Sequence, residues 1–89
     1  MSDCSKHKKE VAGISDMKEL AGMIGDLHYE TLLSLLKHLS LKLNLDGVND
    51  KKNGRIKLGN NLMYASENID MAAIYMDEVW RISKPFMKG

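Results

Sequence analysis

What this sequence lacks narrows its chemistry before any motif is read. A single cysteine, Cys4, in a polar N-terminal stretch leaves no partner for an intramolecular disulfide and points to a reducing, cytoplasmic setting. A single proline, Pro85, leaves the long stretch before it free of the strongest helix breaker. No apolar run reaches the roughly 20 residues of a membrane-spanning helix, and no secretory leader is recognisable. An excess of one charge sign is missing too. Thirteen basic against 12 acidic residues, net +1, argue against general DNA binding, which needs a strongly basic face. Alternation of polar and apolar residues, the mark of a half-exposed strand, is absent as well. The 89 residues are expected to form one domain, and a chain this short buries only about 60–65% of its unfolded surface, which is marginal for a lone monomer.

What is there reads as helix. Residues 1–15 form a polar arm containing His7-Lys8-Lys9-Glu10. Ser15 or Asp16 is suited to cap a helix, and Glu19 completes a capping-box pattern with Asp16. A first helical segment over 16–45 follows, with apolar residues at Met17, Leu20, Ile24, Leu27, Leu35 and Leu39. Gly22 and Gly25 weaken it by up to ~1 kcal/mol each, which allows a break there with Asp26 restarting the helix. Residues 46–55, dense in Asn, Asp and Gly, read as a loop. The second long helix spans 56–84. In it Leu58, Leu62, Ala65, Ile69, Ala72, Met76, Val79 and Ser83 alternate spacings of four and three, a heptad seam. Two long helices so joined predict an all-α antiparallel hairpin with a short N-terminal arm, Ala65 and Ala72 being the expected points of close approach.

The apolar content exceeds what one hairpin seam uses. Leucines at 32, 33, 35, 36, 39, 41, 43 and 45 wrap most of the first helix, and Met63, Met71, Ile74 and Tyr75 are spare on the second. A helix apolar nearly all round is buried on several sides, and in so small a chain those sides belong to another subunit. Assembly into an oligomer is therefore expected.

Catalytic groupings are not recognisable. His28 and His38 are too far apart to form an i, i+4 metal-ligand pair and read as isolated helix histidines. Glu67 and Asp70 sit one turn apart but find no second acidic pair on the first helix to complete a two-helix carboxylate site. Cys4 has no activating neighbour, and Gly54-Arg55-Ile56-Lys57-Leu58-Gly59 lacks the preceding strand of a phosphate loop. The reading is therefore a binding protein and not an enzyme, with no metal or cofactor. Tyr29, Tyr64, Tyr75 and Trp80 are suited to stack on bases, and Lys8, Lys9, Arg55, Arg81 and Lys84 to meet phosphate, although each aromatic is also suited to a core or an interface.

The stretch from His7 to Met17, with Val11-Ala12-Gly13-Ile14 at its centre, and the ending Trp80-Arg81-Ile82-Ser83-Lys84-Pro85 resemble the phage anti-CBASS sequestering proteins with a helical hairpin domain. The resemblance covers most of the chain through short motifs. It implies a hexamer of hairpins that traps cyclic dinucleotides, and in some members cyclic trinucleotides, without cleaving them, which blocks host antiphage signalling. The family's base-stacking tyrosine falls at Ile14, an apolar replacement without a π-face, and its lysine fifteen residues later falls at Tyr29. The resemblance thus implies ligand contacts from Tyr29, Thr31 and Arg81, with Ile14, Lys8 and Lys9 in support. One alternative is a helical adaptor that docks a host protein. A weaker one is a nucleic-acid regulator using Lys51, Lys52, Arg55 and Lys57, which the near-neutral charge disfavours.

Overall fold

A helix N-terminus leaves its first N–H groups without partners, and a short polar side chain just upstream satisfies one of them. Asp16 does this, as expected: its carboxylate accepts from the Lys18 N–H at 3.0 Å and starts α1, Met17–Gly25. The computed structural model that shows this describes residue 7, residues 11–14 and residues 16–86. α1 ends at Gly25, and Asp26 is its C-cap, its N–H bonding back to the carbonyls of Gly22 and Ile24. The expected restart at Asp26 is thus displaced. His28 caps the next helix instead, its Nδ1 accepting from the Glu30 N–H at 3.1 Å. α2 follows over Tyr29–Lys52 and α3 over Ile56–Ser83, with a 3₁₀ turn at Lys84–Phe86 where Pro85 prevents the helix from continuing. The described residues contain no strand, so the fold is all-α.

The expected loop over 46–55 is largely helix. α2 runs on to Lys52, and the connection shrinks to Asn53, Gly54 and Arg55, with Gly54 at φ +84°, a left-handed conformation that costs glycine nothing. Each residue that made the stretch look like a loop is used in place. Asp46 pairs with Lys42 at 2.5 Å, and Asp50 pairs with Arg55 at 2.7 Å. The Asn49 carbonyl accepts from both the main chain and the side chain of Asn53. Gly47 is buried in the helix contact.

That contact runs along one line on each helix. The buried residues of α2 are Leu33, Ser40 and Gly47, and those of α3 are Gly59, Ser66 and Ala73, each set spaced by seven. The helices are antiparallel, so Gly47 meets Gly59, Ser40 meets Ser66, and the same register sets Leu33 opposite Ala73. A Cβ on Gly47 would lie 2.8 Å from the Gly59 carbonyl oxygen, and one on Gly59 would lie 2.6 Å from the Gly47 carbonyl oxygen. The backbones are therefore too close for any side chain at that level. One step along, the Ser40 hydroxyl donates to the Ser66 carbonyl at 3.0 Å and the Ser66 hydroxyl to the Ser40 carbonyl at 2.8 Å. Both serines are buried, and the reciprocal pair leaves no polar side-chain atom unsatisfied there.

The seam differs from the expected one by half. Leu62, Ile69, Met76 and Ser83 are partly buried, but Leu58, Ala65, Ala72 and Val79 are exposed. Gly59, Ser66 and Ala73, one residue further on, take the seam positions, so close approach comes from these and not from Ala65 and Ala72. The buried apolar core is correspondingly thin. Among the described residues Leu33 and Ala73 are the buried apolar side chains, and no side chain is fully enclosed. α1 contains no buried residue, Leu20 and Ile24 being half-buried, and α2 against α3 carries nearly all the packing.

Candidate functional site

The open end of the hairpin, where α2 begins and α3 ends, holds His28, Tyr29, Trp80, Arg81 and Lys84. The His28 ring, fixed by its capping bond, meets the Trp80 ring edge-on, with centroids 4.7 Å apart and planes at 66°. The Lys84 ammonium lies over the Trp80 ring, 5.3 Å from its centroid, within cation–π range. Tyr29 follows His28 and is partly buried, while Arg81 follows Trp80 and is exposed. Arg81 is not free: its guanidinium bonds Glu78 and stands 3.8 Å from Asp77.

The implied site residues are therefore only partly assembled within one chain. Tyr29 and Arg81 share the open end. Thr31 is exposed, and nine residues before Ser40 it lies on the side of α2 away from α3, at about 100° of rotation per residue. Ile14 is half-buried in the turn before α1, its N–H bonding the Val11 carbonyl at 3.0 Å. Lys8 and Lys9 lie outside the described residues.

A second concave region lies along the hairpin. A shallow depression of about 380 Å³ is lined by Lys37, Asp70, Ala73, Ile74 and Asp77, and an adjoining one of about 290 Å³ shares Lys37 and Asp70 and adds Asn44 and Glu67. Sequence reasoning placed Glu67 and Asp70 on a helix surface but missed the groove. Its signal was a stripe of Glu67, Asp70 and Asp77 on one side of α3 facing Lys37 on α2. With three carboxylates and one ammonium, the groove repels a phosphate.

The remaining polar candidates have structural work. His38 Nδ1 lies 2.8 Å from the Ser34 carbonyl one turn back, which ties the ring to its own helix. Arg55 is held by Asp50 next to the turn. Among the described residues no group of three or more His, Cys, Asp or Glu is arranged to hold a metal ion, and no helix is long and apolar enough to cross a membrane. No protein-family model, curated protein or solved structure matches this chain.

Proposed function

We propose that this chain self-associates, as a hexamer, and sequesters cyclic di- and trinucleotides without cleaving them, the action by which its phage counterparts would silence host antiphage signalling. The observation that carries the reading is the open end of the hairpin. His28, Tyr29 and Trp80 gather three aromatic rings there, beside the cations Arg81 and Lys84. Stacking of a base on an aromatic ring contributes about 1–3 kcal/mol, and an arginine–phosphate contact is charge-assisted and often bidentate. The existing partners of Arg81 are no obstacle, because exposed ion pairs of this kind stabilise by only about 0–1 kcal/mol. The outward position of Thr31 fits a site completed by a neighbouring subunit, as a symmetric assembly permits.

The test is calorimetry of the purified protein against a panel of cyclic di- and trinucleotides, followed by heat denaturation and recovery of the ligand. Binding with intact release is the expected result. Arg81→Ala should weaken binding by about 1.5–3 kcal/mol and leave assembly unchanged. Glu78→Gln, which frees Arg81 from its nearest carboxylate, should strengthen it. Equal affinity in all three proteins would remove Arg81 from the site. Silence across the whole panel would sink the reading and leave a helical adaptor as the better account, since the exposed apolar side chains suit a protein partner equally well.

A further inference from the structure

The two faces of the hairpin differ in charge. One carries the groove of Lys37, Glu67, Asp70 and Asp77. The opposite face, from Leu32 to Leu43 on α2 and from Leu58 to Val79 on α3, has no charged side chain. Its α3 half is the row Leu58, Ala65, Ala72 and Val79, which the hairpin leaves exposed. The acids at its loop end, Asp46 and Asp50, are neutralised by Lys42 and Arg55.

We propose that this uncharged face is a two-fold docking surface for a second copy of the chain, forming a four-helix dimer in which α3 packs antiparallel on α3. This rests on the self-association part of the preceding reading and adds the face and the register. The pattern itself identifies the occupant. An isologous contact requires that residue i meet j and j meet i. Leu58, Ala65, Ala72 and Val79 read large, small, small, large from either end. The α2 leucines at 32, 36, 39 and 43 are also symmetric, about the midpoint between Leu36 and Leu39. In the hairpin register, with Ser40 on Ser66, that midpoint is level with the midpoint between Ala65 and Ala72. One two-fold axis through this level therefore satisfies both helices together. It sets Leu58 against the second copy's Val79, and Ala65 against its Ala72.

The size and the need also match. From Leu58 to Val79 the face runs roughly 32 Å at 1.5 Å per residue, and two helices abreast give about 600 Å² per copy, close to the ~800 Å² of a standard interface. With only Leu33 and Ala73 buried as apolar side chains in the isolated hairpin, the covering partner has to be present wherever the chain folds. A second copy meets that condition.

Disulfide trapping tests the register. In a Cys4→Ser background, the double variant Ala65→Cys/Ala72→Cys should oxidise to a covalent dimer, and either single-cysteine variant should not. Within one chain the two positions are two turns, about 10.5 Å, apart, beyond the roughly 4.4–6.8 Å Cα separation of a disulfide. The same distance separates each residue from its own two-fold copy. Ala72→Glu should remove every species that needs this contact, so that sedimentation shows at most the half-assembly left when the two-fold contacts are lost, or unfolded chain. A double variant that stays uncrosslinked, singles that crosslink as well as the double, or an Ala72→Glu protein of unchanged size would each overturn the proposal. Nucleotide binding is measured separately on the unsubstituted protein: its loss with trapping intact would remove the ligand reading and leave this face standing.

Discussion

The two ends of the hairpin seam are built on opposite principles. Next to the turn, Gly47 lies on Gly59 with no space for a Cβ, and Ser40 and Ser66 exchange hydroxyl bonds with each other's backbone. At the open end the residues grow to Leu33 opposite Ala73 and then to His28 against Trp80. Helix separation follows the size of the side chains at the contact, so the turn end is a backbone-to-backbone clasp. The open end instead gathers aromatic rings with Arg81 and Lys84, on side chains that are partly or fully exposed. Close backbone contact and the ring cluster of His28, Tyr29 and Trp80 thus lie at opposite ends of the same pair of helices. The clasp holds the register, and the register brings Tyr29 and Arg81 to a common end.

Breaking the clasp should have the largest effect. Gly59→Val places a branched side chain against the Gly47 carbonyl oxygen, 2.6 Å from where its Cβ would lie, and against Lys51. Overpacking costs about 1–3 kcal/mol, and a clash with backbone belongs at the upper end, so urea unfolding should show a loss of about 3 kcal/mol. Gly59→Ala meets the same oxygen but gains up to ~1 kcal/mol of helix propensity; a net loss of about 1–2 kcal/mol is expected. Unchanged stability in both variants would mean that the helices are not in backbone contact at this level.

The serine pair should have a smaller effect and reveal itself by non-additivity. Ser40→Ala and Ser66→Ala each remove one hydroxyl that donates to the opposing carbonyl and share a 2.9 Å contact between hydroxyls. A net loss of about 1 kcal/mol each is expected. The double variant should lose less than the sum of the two, because the shared contact is lost only once. Strict additivity in a double-mutant cycle would show that the two hydroxyls act independently.

Sequence periodicity located the hairpin but not its true seam, and the reason lies in which residues carry the contact. Asp16 and Pro85 bound the helical region through local chemistry, one accepting an N–H and the other lacking one, and both are legible without tertiary structure. The heptad row starting at Leu58 was legible because it is apolar. The contact itself uses Gly59, Ser66 and Ala73, whose virtue is small size, which a search for hydrophobic spacing passes over. Gly47 misled in the same way: glycine in an Asn- and Asp-rich stretch signals a turn, whereas here it is the condition for helix approach. Of the candidate site, Tyr29 and Arg81 stand at one end because the register puts them there. Thr31 was legible as a residue, but its outward direction follows only from which side of α2 packs on α3. The groove around Lys37 escaped because its charges lie far apart in the chain, and only the fold sets Asp70 and Asp77 across from that lysine.

The smallest predicted change tests whether the difference in packing extends to α1. Gly22 has nothing within 4 Å of where a Cβ would lie, and α1 buries no residue, whereas Gly47 is enclosed by Met63 and Gly59. The same substitution should therefore act in opposite directions at the two sites. Gly47→Ala should lower the global midpoint through its clash. Gly22→Ala should strengthen α1 alone by up to ~1 kcal/mol, which slows amide exchange within α1 by about fivefold while leaving the midpoint of the hairpin almost unmoved, because local opening is independent of global unfolding there. A clear rise of the global midpoint in Gly22→Ala would show that α1 unfolds with the hairpin as one unit. That outcome would move the boundary between the rigid and the loosely attached parts of the molecule to a point before Met17.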